Sequence, residues 1–361
     1  MNIDNFSSTQ GSSLMIMFIL GTSLILSGVT KAMEDTWISI LLAIAMAIPL
    51  VFIYGKLSQL YPNMGLFDIL QKIYGKFLGK LFIFFYTFYF FHLGSICIRN
   101  ATEYVQVVSF PETPQYITAI FIGFISIYAI YVGFSVLSTW AKIVLPIITI
   151  MAIATFVLAI PQFNYSNIKP ILYNGWKPVI SSGYSLITFP FGETVIFLVF
   201  LGYLDNTKDS TKVYISSILI GGFLLLLVAF RNIFLIGFPL ISDIYFPSHY
   251  ATSLINFRDF IQRIEIIVSI NVLMSSFVKT TTCLYASCIG VIKLFNLKNY
   301  KYLPLTIYSL GIVVSRLIYS DTMEMFKFVD IYEHYVIPFH FVIPILTFII
   351  AYMKKGNIRN I

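Results

Sequence analysis

The sequence predicts an all-α integral membrane protein of about ten transmembrane helices, and three observations carry that prediction. Of 361 residues, 58% are hydrophobic and only 11% are charged, against about 25% charged in a soluble domain. The mean hydropathy is +0.86. Apolar stretches of roughly 20 residues, the length that crosses a hydrocarbon core about 30 Å thick, recur along the whole chain. Such a chain needs membrane lipid as its solvent, and residues 1–361 read as a single domain.

The first stretch, 12–32, follows an N-terminus, MNIDNFSSTQ, that has no basic n-region. The stretch is too long for the core of a cleaved signal peptide, so it is expected to remain as the first helix. Further spans are expected near 36–54, 77–107, 115–133, 136–160, 185–204, 213–238, 264–292, 303–319 and 336–353. Between the second and third, YPNMGLFDILQKIYGKFLGK mixes apolar positions with Lys72, Lys76 and Lys80. That pattern suits an amphipathic segment on the membrane surface.

Basic residues give the orientation. With the N-terminus inside, the inner loops and tail carry 13 lysines and arginines, including Lys56, Lys142, Lys208 and Lys298; the outer loops carry 5, namely Lys31, Lys169, Lys177, Arg258 and Lys327. Both termini are therefore expected in the cytoplasm, with loops 164–177 and 321–334 outside. The net charge of +7 sits in these short loops, which leaves no basic patch for nucleic acid. Cys97, Cys283 and Cys288 lie in apolar stretches without metal-type spacing, and no nucleophile with a base, phosphate loop or metal cluster is present. Neither enzymatic activity nor a bound cofactor or metal is expected.

Two spans carry interruptions. The first contains Gly21-Thr22-Ser23, and the sixth contains Phe189-Pro190-Phe191-Gly192-Glu193, with Gly192 lying 171 residues after Gly21. Proline removes a backbone donor and glycine weakens a helix, so both are credible unwinding points. Either alone could be an ordinary kink. As a pair in matching positions of two halves they point to a midplane binding site, where half-helix N-termini take anions and freed carbonyls take cations.

Charges inside the spans also need partners, since each costs at least about 2.5–3.5 kcal/mol at mid-depth in lipid. Arg99, Glu103, Arg231, Arg263, Glu265 and Arg316 fall toward the outer leaflet. Arg99 and Glu103 are four apart and can pair on one helix face. Arg263 and Glu265, two apart, are expected to reach neighbouring helices instead. The cluster reads either as a structural network or as a polar vestibule. Glu193 and Lys279 stand apart near mid-membrane and are expected to form a coupled pair. His92 and His340 read as packed, hydrogen-bonded histidines, and the many Phe and Tyr residues as lipid-facing and interface filling.

Several of these residues fall into an ordered series: Phe18-Ile19-Leu20-Gly21-Thr22-Ser23, Asp35-Thr36-Trp37-Ile38, Tyr61-Pro62, Gly75-Lys76-Phe77-Leu78-Gly79-Lys80 and Thr113-Pro114. Arg99 with Glu103, Phe191-Gly192-Glu193, Arg263 with Glu265, and Lys279 continue it. In order and spacing the series resembles the spore germination permeases, the B subunits of nutrient germinant receptors in endospore-forming Firmicutes, of the amino acid/polyamine/organocation permease superfamily. It departs from the family at Ser23, which stands where glycine is frequent, and near Gly28, where a proline often found shortly afterwards is absent. The resemblance implies two inverted five-helix repeats, near 12–160 and 184–353, with broken first and sixth helices. It also implies an amino-acid-like germinant, an A subunit and a lipoprotein C subunit as partners, and the spore inner membrane as location. Gly21, Thr22, Ser23, Phe191, Gly192, Glu193 and Lys279 are then the expected ligand site. A proton- or sodium-coupled amino-acid transporter would use the same fold and pocket.

Overall fold

The computed structural model describes residues 4–26, 31–238, 240–255 and 263–359; Gly28 and Arg258 lie outside them. The described residues are mostly helical, with an isolated parallel β-bridge between Phe6 and Leu204. In order the α-helices are α1 (Ser8–Leu20), α2 (Ser23–Leu26), α3 (Thr36–Leu60), α4 (Leu66–Val108), α5 (Gln115–Val132), α6 (Phe134–Ala159) and α7 (Trp176–Leu186). They continue as α8 (Ser210–Ile236), α9 (Pro247–Ser253), α10 (Glu265–Phe295), α11 (Leu303–Ile318), α12 (Thr322–Tyr335) and α13 (Ile343–Arg359).

Eight helical stretches among the described residues are long and apolar enough to cross a membrane. Among the described residues α11 and α12, bent by 99° at their junction, qualify together as a ninth, and Pro338–Lys354 is a shorter apolar helix. Burial separates a centre from a rim. The α1–α2 stretch is 72% buried, whereas the α6 stretch is 17% buried and offers its remaining surface to lipid. Apolar all round and enclosed by α6, α8 and α10, α1 is the axis of the bundle. Its start is fixed by a reciprocal cap: the Ser7 hydroxyl accepts from Gln10 N–H, and the Gln10 side chain accepts from Ser7 N–H.

The surface segment expected after the second span is the first part of α4. Gly75, at φ 79°, interrupts the helix there in a conformation glycine adopts without a Cβ clash. Leu66, Phe67, Ile69, Leu70 and Ile73 of the piece before it are buried. Farther along, α4 lies against α10 at close range. A Cβ on Gly94 would stand 2.7 Å from a Leu284 methyl, the small-residue contact by which helices approach in lipid.

Three expectations are corrected. Residues 321–334 are not a loop but α12, which leaves α11 at 99° and buries Met325, Tyr332 and Glu333. Asp321 caps it by accepting from Glu324 N–H at 2.9 Å. Glu324, Lys327, Asp330 and His334 are exposed on its other faces, so its overall polarity hid a buried stripe at helical spacing. Second, the sixth span begins at Trp176 and loses regular α-geometry from Ile187. Third, Arg263 and Glu265 do pair, at 3.6 Å. Arg263 precedes α10 with φ 66°, so the helical-face argument that separated the two does not apply to it.

Candidate functional site

Both expected interruptions are present and face each other. α1 stops at Leu20, Gly21 and Thr22 turn, and α2 restarts at Ser23. Across from it, Phe189 is extended (φ −137°, ψ 115°) ahead of Pro190, after which Gly192–Val199 continues as a tighter helix. Proline disfavours helical geometry in the residue before it, which accounts for Phe189.

Lys279 reaches into this junction from the middle of α10. Its Nζ donates to Glu193 Oε2 at 2.5 Å and to Thr22 Oγ1 at 3.0 Å, tying the two breaks together. The rings of Phe18 and Phe189 lie 5.1 and 4.6 Å from the ammonium, within cation–π range. Lys279 and Glu193 side chains are both 0% exposed. An ion pair so enclosed is stable only when its remaining polar atoms are satisfied, and here they are: the Tyr332 hydroxyl of α12 donates to Glu193 Oε1 at 2.5 Å. From Tyr332 the chain runs on to Tyr89 at 3.2 Å and from Tyr89 to His340 Nε2 at 2.6 Å. Tyr54 and Tyr86 hold the backbone carbonyls of His340 and Phe339.

The break glycines provide room for these side chains. A Cβ on Gly21 would stand 2.8 Å from Lys279 Cδ, and one on Gly192 would stand 2.5 Å from His340 Nδ1. Of the other expected residues, Thr22 and Glu193 line a cavity of about 30 Å³ together with Phe189, Asn100 and Tyr332. That is room for about one water molecule. Ser23 turns back across the break, donating to Ile19 O of α1 at 2.7 Å, and Phe191 is fully buried in the core.

The chain after α2 is tied to α12. Lys31 Nζ lies 2.8 Å from Asp330 and 3.7 Å from Glu333, and Glu333 also accepts from Ser185 of α7. The hydrogen bond to Asp330 holds the Lys31 ammonium above its ordinary pKa.

The six charges expected toward the outer leaflet form three separate groups. Arg99 pairs with Glu103 at 2.9 Å, and Gln115 bridges them to Arg316 by accepting from both guanidiniums. Arg231, 1% exposed, is held by Thr155, Asn232 and the Ser248 carbonyl. The Arg263–Glu265 pair is solvent-facing on its arginine side, at 76% exposure. They do not form one network.

Tyr332, Tyr89 and His340 were missed as site residues. Pro338, inside an apolar run beside His340, was the available signal of a third interrupted span: Pro338–Val342 is a wide turn that brings His340 inward. Among the described residues no cluster of His, Cys, Asp and Glu could hold a metal ion.

The spore germination protein family profile matches residues 5–325. The chain belongs to the spore germination protein family. Spore germination protein KB of Bacillus subtilis (strain 168) is 29% identical over 349 residues, covering 95% of this chain and 93% of that one. Spore germination protein A2 of the same organism is 22% identical over 353 residues, covering 96% and 95%. In architecture this member of the family is similar to Mhp1, a nucleobase-cation-symport-1 family transporter solved in a closed conformation with bromovinylhydantoin bound. The TM-score is 0.70 over 93% of this chain and 77% of that one, at 10% identity. This spore germination protein thus has a permease-like, transporter-like fold.

Proposed function

We propose that this chain is the B subunit of a nutrient germinant receptor and that it recognises a small zwitterion, of the amino-acid class, between its two interrupted helices. One observation carries the reading: an ammonium and a carboxylate, both fully enclosed, meet at 2.5 Å where the breaks face each other. A zwitterion offers the same two charges in reverse. Its carboxylate takes Lys279 and the Thr22 hydroxyl beside it, while its ammonium takes Glu193 and the carbonyls of the breaks. With only about 30 Å³ beside the pair, admission requires the breaks and α12 to part. Ligand binding then favours a second packing, and that change passes to an A subunit and a lipoprotein C subunit in the spore inner membrane. Family membership supports this setting, and the basic-residue bias supports cytoplasmic termini.

The transporter-like fold favours a second reading, coupled uptake of the same amino acid. Reconstitution of the full chain alone in proteoliposomes separates them. Receptor function predicts saturable binding of labelled amino acid without accumulation, and co-purification with A and C subunits from native membrane. Robust accumulation by this chain alone establishes transport instead.

A further inference from the structure

A second cavity, of about 520 Å³, opens where the C-terminal ends of α4 and α11 meet the start of α5, a size typical of small-molecule sites. One end is polar, formed by Arg99, Gln115 and Arg316, and the rest is lined by groups such as Ala119, Ile312 and Val313. Neither aspartate nor glutamate is among its walls. Glu103, behind the wall, balances Arg99. Arg316 has no ion-pair partner among the described residues; it is exposed and gives Nη1 to Gln115 at 2.8 Å. Arg99 Nε is buried without a hydrogen-bond partner. The site therefore carries one unbalanced positive charge and one unused buried donor. Beside the opening, Val313 and Leu317 are largely exposed on the apolar helix α11, a face suited to lipid chains.

We propose that this cavity binds an anionic phospholipid, with its phosphate on Arg316 and Arg99 and the start of an acyl chain along Ala119, Ile312 and Val313. Guanidinium matches phosphate geometrically and charge for charge, and basic pockets between membrane helices hold lipid headgroups in this way. A soluble anion would gain the guanidiniums but nothing from the apolar wall. Arg99 Nη2 also donates to the Ser320 carbonyl at 3.1 Å, in the turn from α11 to α12. The bound lipid thus steadies the turn that positions Tyr332.

The test is native mass spectrometry of the detergent-purified full chain offered equal amounts of phosphatidylglycerol and phosphatidylcholine. Retention of phosphatidylglycerol is expected to exceed that of phosphatidylcholine by roughly tenfold, the worth of about one charge-assisted hydrogen bond. Arg316→Gln, at an exposed position, should bring the ratio close to one without changing thermal unfolding in neutral detergent. Ala119→Phe should lower phosphatidylglycerol retention by filling the wall while both arginines remain. Equal retention of the two lipids by the unmodified chain, or an unchanged preference in Arg316→Gln, overturns the proposal. So does competition by glycerol phosphate as effective as that of the whole lipid, which would make the cavity a site for a soluble anion.

Discussion

Gly21 lies where the lysine stem of α10 passes the end of α1, and the space it leaves is already occupied. A methyl group at 21 would press on Lys279 Cδ at 2.8 Å, and overpacking of that kind costs about 1–3 kcal/mol. Gly21→Ala is therefore expected to shift the nutrient dose response to higher concentration, and Gly21→Leu to abolish it, with membrane abundance unchanged in both. An unaltered dose response in Gly21→Leu would remove this break from the site. At this scale the sequence was informative wherever chemistry is rare in lipid. Glu193 and Lys279 stood out because ionisable groups are seldom tolerated in an apolar span. Tyr89 and Tyr332 did not, being 2 of 24 tyrosines, a residue type that usually fills interfaces. Only the three-dimensional path of α12 distinguishes the tyrosine on Glu193 from the rest.

Among the elements, α12 is the one that the sequence concealed. Read linearly it is DTMEMFKFVDIYEH, a polar string between two apolar runs; folded, it dips inward, presents Tyr332 to Glu193 and is held at its far end by Lys31. The raised pKa of Lys31 gives this tie a pH sense. The tie is present in full below the ordinary lysine value of 10.5, and it is lost as pH rises through the raised value. Neutral and mildly alkaline solutions therefore leave it intact. Lys31→Met is expected to free α12, so that a cysteine replacing Val329, on the wall of the small cavity, is labelled several-fold faster than with Lys31 present. The ratio of the two rates should stay constant across the neutral and mildly alkaline range. Equal rates with and without Lys31 would show that α12 is not restrained there. The breaks in the first and sixth spans were legible because Gly and Pro interrupt strong apolar runs. That in the last span was equally marked, by Pro338, but His340 looked like any packed histidine.

For the whole molecule, composition and span spacing foretold a helical membrane fold, and the resemblance supplied its permease-like plan. Packing between distant segments was out of reach: nothing local announces that α11 turns by 99° or that the charges expected toward the outer leaflet separate into three groups. Orientation rests on lysine and arginine counts and is open to direct measurement. In a cysteine-free background, cysteines at positions 169 and 327 are expected to react with an impermeant reagent from outside, and those at 208 and 298 only from within; the reverse pattern would invert the molecule. The account as a whole turns on Lys279 and Glu193 acting as one switch. Removing either partner leaves the other charge enclosed and unbalanced, at about 3–5 kcal/mol. A double-mutant cycle on the nutrient response therefore tests the claim most directly. Lys279→Met and Glu193→Gln should each impair the response severely, while the double variant is much less impaired than the product of the two. Effects that simply multiply, or a normal response in Lys279→Met, would contradict it.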